Sequence, residues 1–296
     1  AHGVPSPVPA TCPRKSMIIR QILIPTDGSA YSKTALEYGI YIGKLLDAQL
    51  TGLHIIDIKI IQGPIFSDIF GSVSLSAFPE FLTAIEKGLD ERADAILETF
   101  RRRCEGEGLT PRIRKVTGII DEEILREGRD ADLILLAQRG EHYPLSQSVL
   151  LGSTAEAVVR KSGKPVLVTP GKFREIESMG LAYDGSPPAQ HALAIAAQLS
   201  VKTKWPLTVI IVTDLASLAA DLTKRIEEYL EPFEIDSDVI VLRGREEKEI
   251  IKFIQEGAVE LMLMGAYGNS RFKELLLGST TSHVIRNSTI PVLLTR

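Results

Sequence analysis

Short apolar runs and longer amphipathic stretches alternate along nearly the whole chain. QILIPTD (21–27) has the pattern of a short buried strand, and a helix pattern follows from about Ala30 to Leu46. QLTGLHIID (49–57) reads as a second strand, PRIRKVTG (111–118) as a third, and DEEILREG (121–128) as a helix. DLILLA (132–137) is apolar throughout, as a strand covered on both faces should be. STAEAVVRKS (153–162) is another helix pattern and PVLVT (165–169) a closing strand. Strands separated by helices imply right-handed crossovers, hence an α/β fold with a doubly wound, mostly parallel sheet and helices on both faces. Such sheets bind ligands at the carboxyl ends of their strands, where the strand order reverses.

The pattern is written twice. Ile22–Asp57 matches Met179–Asp214 at an offset of 157, pairing Asp27 with Asp184. ADLILLAQRG (131–140) matches VELMLMGAYG (259–268), and LLGSTAEAVVRKSGKPVLVT (150–169) matches LLGSTTSHVIRNSTIPVLLT (276–295) at an offset of 126. The first copy therefore carries a net 31 extra residues, most of them between Asp57 and Gly118. Two tandem five-stranded sheets are expected, in domains 17–172 (with an insertion at about 58–100) and 178–296, joined by a short polar link over 173–177. Residues 1–16 hold four prolines and neither Asp nor Glu, and are expected to be a disordered extension.

Composition narrows the function. Lys plus Arg number 34 against 38 for Asp plus Glu, a formal charge of −4, which argues against coating nucleic acid or anionic membrane. No apolar run approaches the roughly 20 residues that cross a bilayer. Two cysteines, Cys12 and Cys104, build neither a disulfide framework nor a cysteine-rich metal site, and the five histidines form no HExxH or HxxxH pair. A reducing cytoplasm is the default expectation.

Candidate chemistry sits in the loops after the fourth strand of each copy. In the second copy LMLM runs into Gly265-Ala-Tyr-Gly268, nine residues follow, and Gly278-Ser279-Thr280 opens a helix pattern. Glycines let backbone N–H groups approach phosphate oxygens, and a helix N-terminus adds unpaired donors. The alternative is a tight turn at Gly265 and Gly268 with Ser279 as an ordinary N-cap. Neither GxxxxGK[ST] nor a GxGxxG fingerprint after a first strand is present.

The combination of strand-Thr-Asp-Gly-Ser, LxGLHIID, GxxG-x9-GS-T and a final PVLxT resembles the universal stress protein family over nearly all of 17–296. The resemblance implies a Rossmann-like sheet of the adenine nucleotide alpha hydrolase-like kind, twice over. It implies ATP (or AMP or ADP) as ligand, with Mg accompanying bound ATP, and a stress-response sensor or regulator rather than a dedicated enzyme. Carried over, Gly265, Gly268, Gly278, Ser279 and Thr280 hold phosphates and ribose, Asp184 beside Tyr183 contacts the nucleoside, and Ala182 and Val212 flank adenine. The closing strands 165–169 and 291–295 are implied as the contact of an intramolecular pseudo-dimer, and two chains as a possible homodimer.

The first copy departs from this pattern. Its loop runs Ala137-Gln-Arg-Gly140, then eleven residues to Gly152-Ser153-Thr154, so a Cβ stands where the family has glycine and the spacing is two longer. Arg139 and His142 fit as compensating phosphate partners, or else are solvent-facing residues of a degenerate site. Pro25, Thr26, Asp27, His54 and Ile55 still match the nucleoside end. An ATP-consuming enzyme would need an SGGxDS, HxGH or KMSKS motif, and none is present; a nucleotide-free interaction scaffold is the third reading.

Other residues have plainer expectations. Asp27 and Asp184 serve as helix caps or ligand contacts. His54 is a satisfied strand histidine, and Cys104, in FRRRCEGEG, a plain surface thiol. Arg101–Arg103 form a solvated helix end beside Glu98, Glu105 and Glu107. The segment KIIQGPIFSDIFGSVSLSAF (59–78) suggests a mobile flap or a subunit contact.

Overall fold

A computed structural model describes residues 19–59, 79–140, 152–266 and 278–296. The leader and all of the expected flap except Lys59 lie outside those residues.

The first half contains β1 (Gln21–Pro25), α1 (Ala30–Leu46), β2 (Gln49–Asp57), α2 (Pro79–Glu105), β3 (Arg112–Gly118), α3 (Ile120–Glu127), β4 (Leu133–Ala137), α4 (Ser153–Lys161) and β5 (Val166–Thr169). The second repeats the order as β6 (Met179–Ala182), α5 (Pro187–Thr203), β7 (Leu207–Val212), α6 (Ala216–Leu230), β8 (Ser237–Leu242), α7 (Glu246–Gln255), β9 (Leu261–Gly265), α8 (Ser279–Asn287) and β10 (Val292–Thr295). The two expected five-stranded sheets join into one, ordered β3-β2-β1-β4-β5-β10-β9-β6-β7-β8. Within each half all pairings are parallel. At the seam, β5 and β10 run antiparallel, with Val168 opposite Val292 and Val166 opposite Leu294.

Residue alternation along the strands divides the core into two layers. Ile22, Ile24, Leu133, Leu135, Leu261 and Leu263 face α1, α2, α5 and α6; Leu23, Ile134, Leu136, Met262 and Met264 face α3, α4, α7 and α8. Both layers run across the seam, so each half completes the other's core.

The antiparallel seam explains the short connection. It brings the carboxyl end of β5 to the same long edge of the sheet as the start of β6. The segment between them is pinned to α1. Tyr38 Oη donates to the Lys172 carbonyl (3.2 Å) and accepts from Arg174 N–H (3.1 Å). Tyr41 Oη donates to the Ile176 carbonyl (2.8 Å) and accepts from Ile176 N–H (3.3 Å). The Phe173 ring lies 4.8 Å from that of Tyr38, and Ile176 is fully buried.

Most of the extra length in the first half precedes α2, and α2 itself runs 27 residues against 15 in α6. Its buried stripe is Ala93, Leu97, Phe100 and Cys104, spaced four, three and four apart as one helix face requires. Cys104 is therefore not the expected surface thiol: it completes that stripe, and burial pushes its pKa up to about 12. The neighbouring arginines are ion-paired, Arg102 with Glu98 (2.7 Å) and Arg103 with Glu37 (2.6 Å) and Glu107 (2.7 Å).

Lys44 and Arg103 together hold Glu107 down to about 2 from an ordinary 4.5. A folded-state value below the unfolded one stabilises fully above the unfolded pKa, and that contribution is lost as pH falls through the folded value. Urea titrations between about pH 4.5 and pH 2 are expected to show a steeper loss of stability in the natural chain than in Glu107→Gln. Solvent exposure keeps the difference small.

Candidate functional site

The strand order reverses between β1 and β4 in the first half and between β6 and β9 in the second. Candidate residues of both copies gather at the carboxyl ends of these strands. Because the seam is antiparallel, the two sites open at opposite long edges of the sheet.

At the second site, Tyr183 N–H donates to the Ile210 carbonyl (2.9 Å), fixing the chain where β6 leaves the sheet. The Tyr183 ring is buried in the core, so at the end of β6 this residue presents its main chain alone. Asp184 Oδ1 accepts from Ser186 N–H (2.9 Å), and Gly185 turns the chain at φ +78°. Ser186, rather than the aspartate, caps α5 by accepting from Ala189 N–H (3.3 Å). Asp184 is thus exposed at the mouth with its capping task done by a neighbour. Ala182 and Val212 are half-buried at the ends of β6 and β7.

The loop glycines have different causes. A methyl on Gly265 would come within 2.9 Å of Pro188 Cβ and 3.0 Å of the Ala189 nitrogen. Gly265 is therefore required by the approach of α5 to β9. Gly265→Ala is expected to destabilise the fold by about 1–3 kcal/mol through overpacking, measured by denaturant unfolding. Among the described residues, nothing constrains Gly278 in this way. It opens α8 at φ −56° and ψ 144°, which any residue adopts, and a methyl there would make ordinary contacts at 3.6 and 3.7 Å. It is also the N-cap, with no side-chain cap bond, so Ser279 lies one residue inside the helix and is not the cap. Thr280 Oγ1 donates to Glu246 (3.4 Å). Gly268 lies outside the described residues.

The first site has the same plan. Thr26 N–H donates to the Leu53 carbonyl (2.8 Å), Asp27 Oδ1 accepts from Ser29 N–H (3.0 Å), Gly28 turns at φ +80°, and Ser29 caps α1. His54 Nδ1 meets the Thr26 carbonyl at 2.7 Å; a carbonyl only accepts, so Nδ1 carries the proton. Pro25 and Ile55 are half-buried beside this turn. A methyl on Gly140 would stand 3.1 Å from Asp27 Oδ2, so the absence of one admits the carboxylate to the loop. Arg139 lies over the Tyr31 ring at 5.8 Å and donates to its hydroxyl (3.3 Å). Gly152 caps α4 without a side-chain bond, and Ser153 and Thr154 form the first turn. Ala137 packs against the α1 layer, the face on which Pro188 forces a glycine in the other copy. Its Cβ is thus directed at the core and does not by itself mark a degenerate site. His142 lies outside the described residues.

Two site-bordering residues carry no motif in sequence. Thr281 Oγ1 donates to the carbonyls of Gly265 and Ala266 (3.2 Å each), tying the first turn of α8 to β9. Gln138 contacts the other half. Among the described residues, no group of three or more His, Cys, Asp or Glu is placed to hold a metal, and no helix is long and apolar enough to cross a membrane.

Sheet order and repeat together define a tandem, doubly wound α/β protein with a switch point in each half. The chain belongs to the universal stress protein family, whose model matches residues 19–170 and 215–296. It is 30% identical over 285 residues to a universal stress protein of Synechocystis sp., covering 93% of this chain and 99% of that one. A universal stress protein of Methanocaldococcus jannaschii is 32% identical over 161 residues, 53% of this chain and 98% of its own. The crystal structure of a universal stress protein from Archaeoglobus fulgidus superposes with a TM-score of 0.74 at 24% identity, covering 95% of this chain and 97% of that one.

Proposed function

We propose that the chain binds adenine nucleotide, chiefly at the second site, and acts as a nucleotide-responsive regulator of the stress response. The observation that carries this reading is Gly278. Among the described residues, neither its backbone angles nor its packing calls for glycine, and it opens a helix lacking a side-chain cap at the switch point. Close approach of a ligand to backbone N–H groups gives a reason for a missing Cβ there, beside the ordinary preference for glycine at an N-cap. Phosphate oxygens suit those donors, with Ser279 and Thr280 beside them, while Asp184, Ala182 and Val212 border the nucleoside end. Mg would enter with the phosphates of ATP.

In this reading residues 17–172 and 178–296 are two domains of an intramolecular pseudo-dimer, joined through 173–177 and seamed by β5 and β10. The protein works in a reducing cytoplasm, and further pairing of chains uses other surfaces.

Native mass spectrometry of the purified chain tests this directly. A mass increment of one or two adenine nucleotides per chain is the expected result. A chain free of nucleotide, and unchanged when ATP is added, leaves a protein-interaction scaffold instead.

A further inference from the structure

Gln138 follows directly on β4 and is buried. Its main-chain carbonyl accepts from the N–H of Gly152 (3.0 Å), the residue that opens α4 at the first site. Its side chain reaches into the other half, where Nε2 donates to the carbonyls of Ile285 and, at 3.2 Å, Arg286. These carbonyls belong to the last turn of α8 and have no partner within the helix. The same turn is tied to α4 by Arg286 and Glu156 (3.4 Å).

The opposite end of α8 is Gly278-Ser279-Thr280, at the second site. The helix has nine residues, about 13 Å at 1.5 Å per residue. A helix that short does not hold its own geometry in water and depends on its packing, through buried Thr281, Val284 and Ile285, and on the contacts at its ends. Thr281 grips it beside the second site; Gln138, from the first half, grips the far end. The connection runs one way: the residue equivalent to Gln138 is Ala266, which has no side-chain donor.

We propose that Gln138 is a positioning residue of the second nucleotide site. By capping the C-terminal carbonyls of α8, its amide fixes the axis and rotation of the helix. It thereby sets the direction of the N–H groups that face the phosphates at the other end. A donor at the C-terminus also complements the helix dipole that favours an anion at the N-terminus. This inference rests on the nucleotide reading above.

The test uses the full chain carrying Asp27→Ala, so that calorimetric titration with ATP reports the second site. Gln138→Met keeps the volume and removes the donor; Gln138→Lys restores a donor. On that background Gln138→Met is expected to weaken ATP binding roughly three- to ten-fold, and Gln138→Lys to return it to within about two-fold of the parent. Thermal melts without ATP accompany each titration. A lower melting temperature in Gln138→Met with unchanged ATP affinity shows a merely structural role and overturns the proposal. So does weakening that Gln138→Lys fails to relieve. If the unsubstituted chain binds no ATP, the nucleotide reading falls and takes this inference with it. Unchanged binding in Gln138→Met removes this inference alone.

Discussion

ATP at a hundredfold excess over its dissociation constant is expected to raise the unfolding free energy by about 2.7 kcal/mol, with a matching rise in melting temperature. Asp184→Ala is expected to remove most of that gain. Ser186 keeps α5 capped without the aspartate side chain, so the stability of the ligand-free chain should change little. This separation is what makes the substitution informative. A helix cap would act with or without nucleotide, whereas a ligand contact acts only in its presence. Asp27→Ala is expected to remove a smaller part, because the second site carries the closer match. Thermal unfolding of the three chains, with and without ATP, reads both effects. Equal gains in all three would exclude the aspartates as ligand contacts.

Phe100→Ala is expected to cost about 3–5 kcal/mol, the largest loss from any one truncation proposed for this chain. Phe100 is buried on α2 directly over Gly52, where a methyl would come within 2.7 Å of the ring. Ring and glycine are complementary halves of one contact. Gly52→Ala alone is therefore expected to destabilise by about 1–3 kcal/mol through overpacking. Combined, the two substitutions should cost less than their sum, because the new methyl enters space the ring vacates. Urea unfolding of the four chains measures the coupling. Additive losses would mean that α2 does not lie on β2 as described.

The fold was legible because its signals are local and repeated. Apolar runs such as QILIP and LILLA and the amphipathic stretch 30–46 place strands and helices nearly to the residue. Self-similarity across the chain supplies the tandem arrangement without any tertiary knowledge. Asp27 and Asp184 were visible as turn residues, but the capping expected of them falls to Ser29 and Ser186, while each aspartate closes an Asx turn before a left-handed glycine.

What remained hidden depends on distant partners. Cys104 reads as surface because three arginines precede it, yet its place on the 93-97-100-104 stripe buries it. That signal was present as spacing and was masked by composition. Gly265 resembles a phosphate-loop glycine, but Pro188 is the reason it must be glycine. Gln138 has no local signal at all, because the carbonyl it serves lies 147 residues away. The pairing of the two closing strands was expected from the family resemblance alone, because no single strand announces where its outer edge pairs.

That closing pair has a consequence for how such a protein can diversify. When identical subunits meet across a twofold axis, every residue at the contact appears twice, in equivalent surroundings. A change that helps one subunit's pocket is imposed on the other. Here β5 and β10 meet within one chain, so Gln138 faces α8 on one side while Ala266 occupies the matching place on the other. Covalent fusion of the two copies releases the contact from symmetry, and the residues at the two switch points are free to diverge from one another.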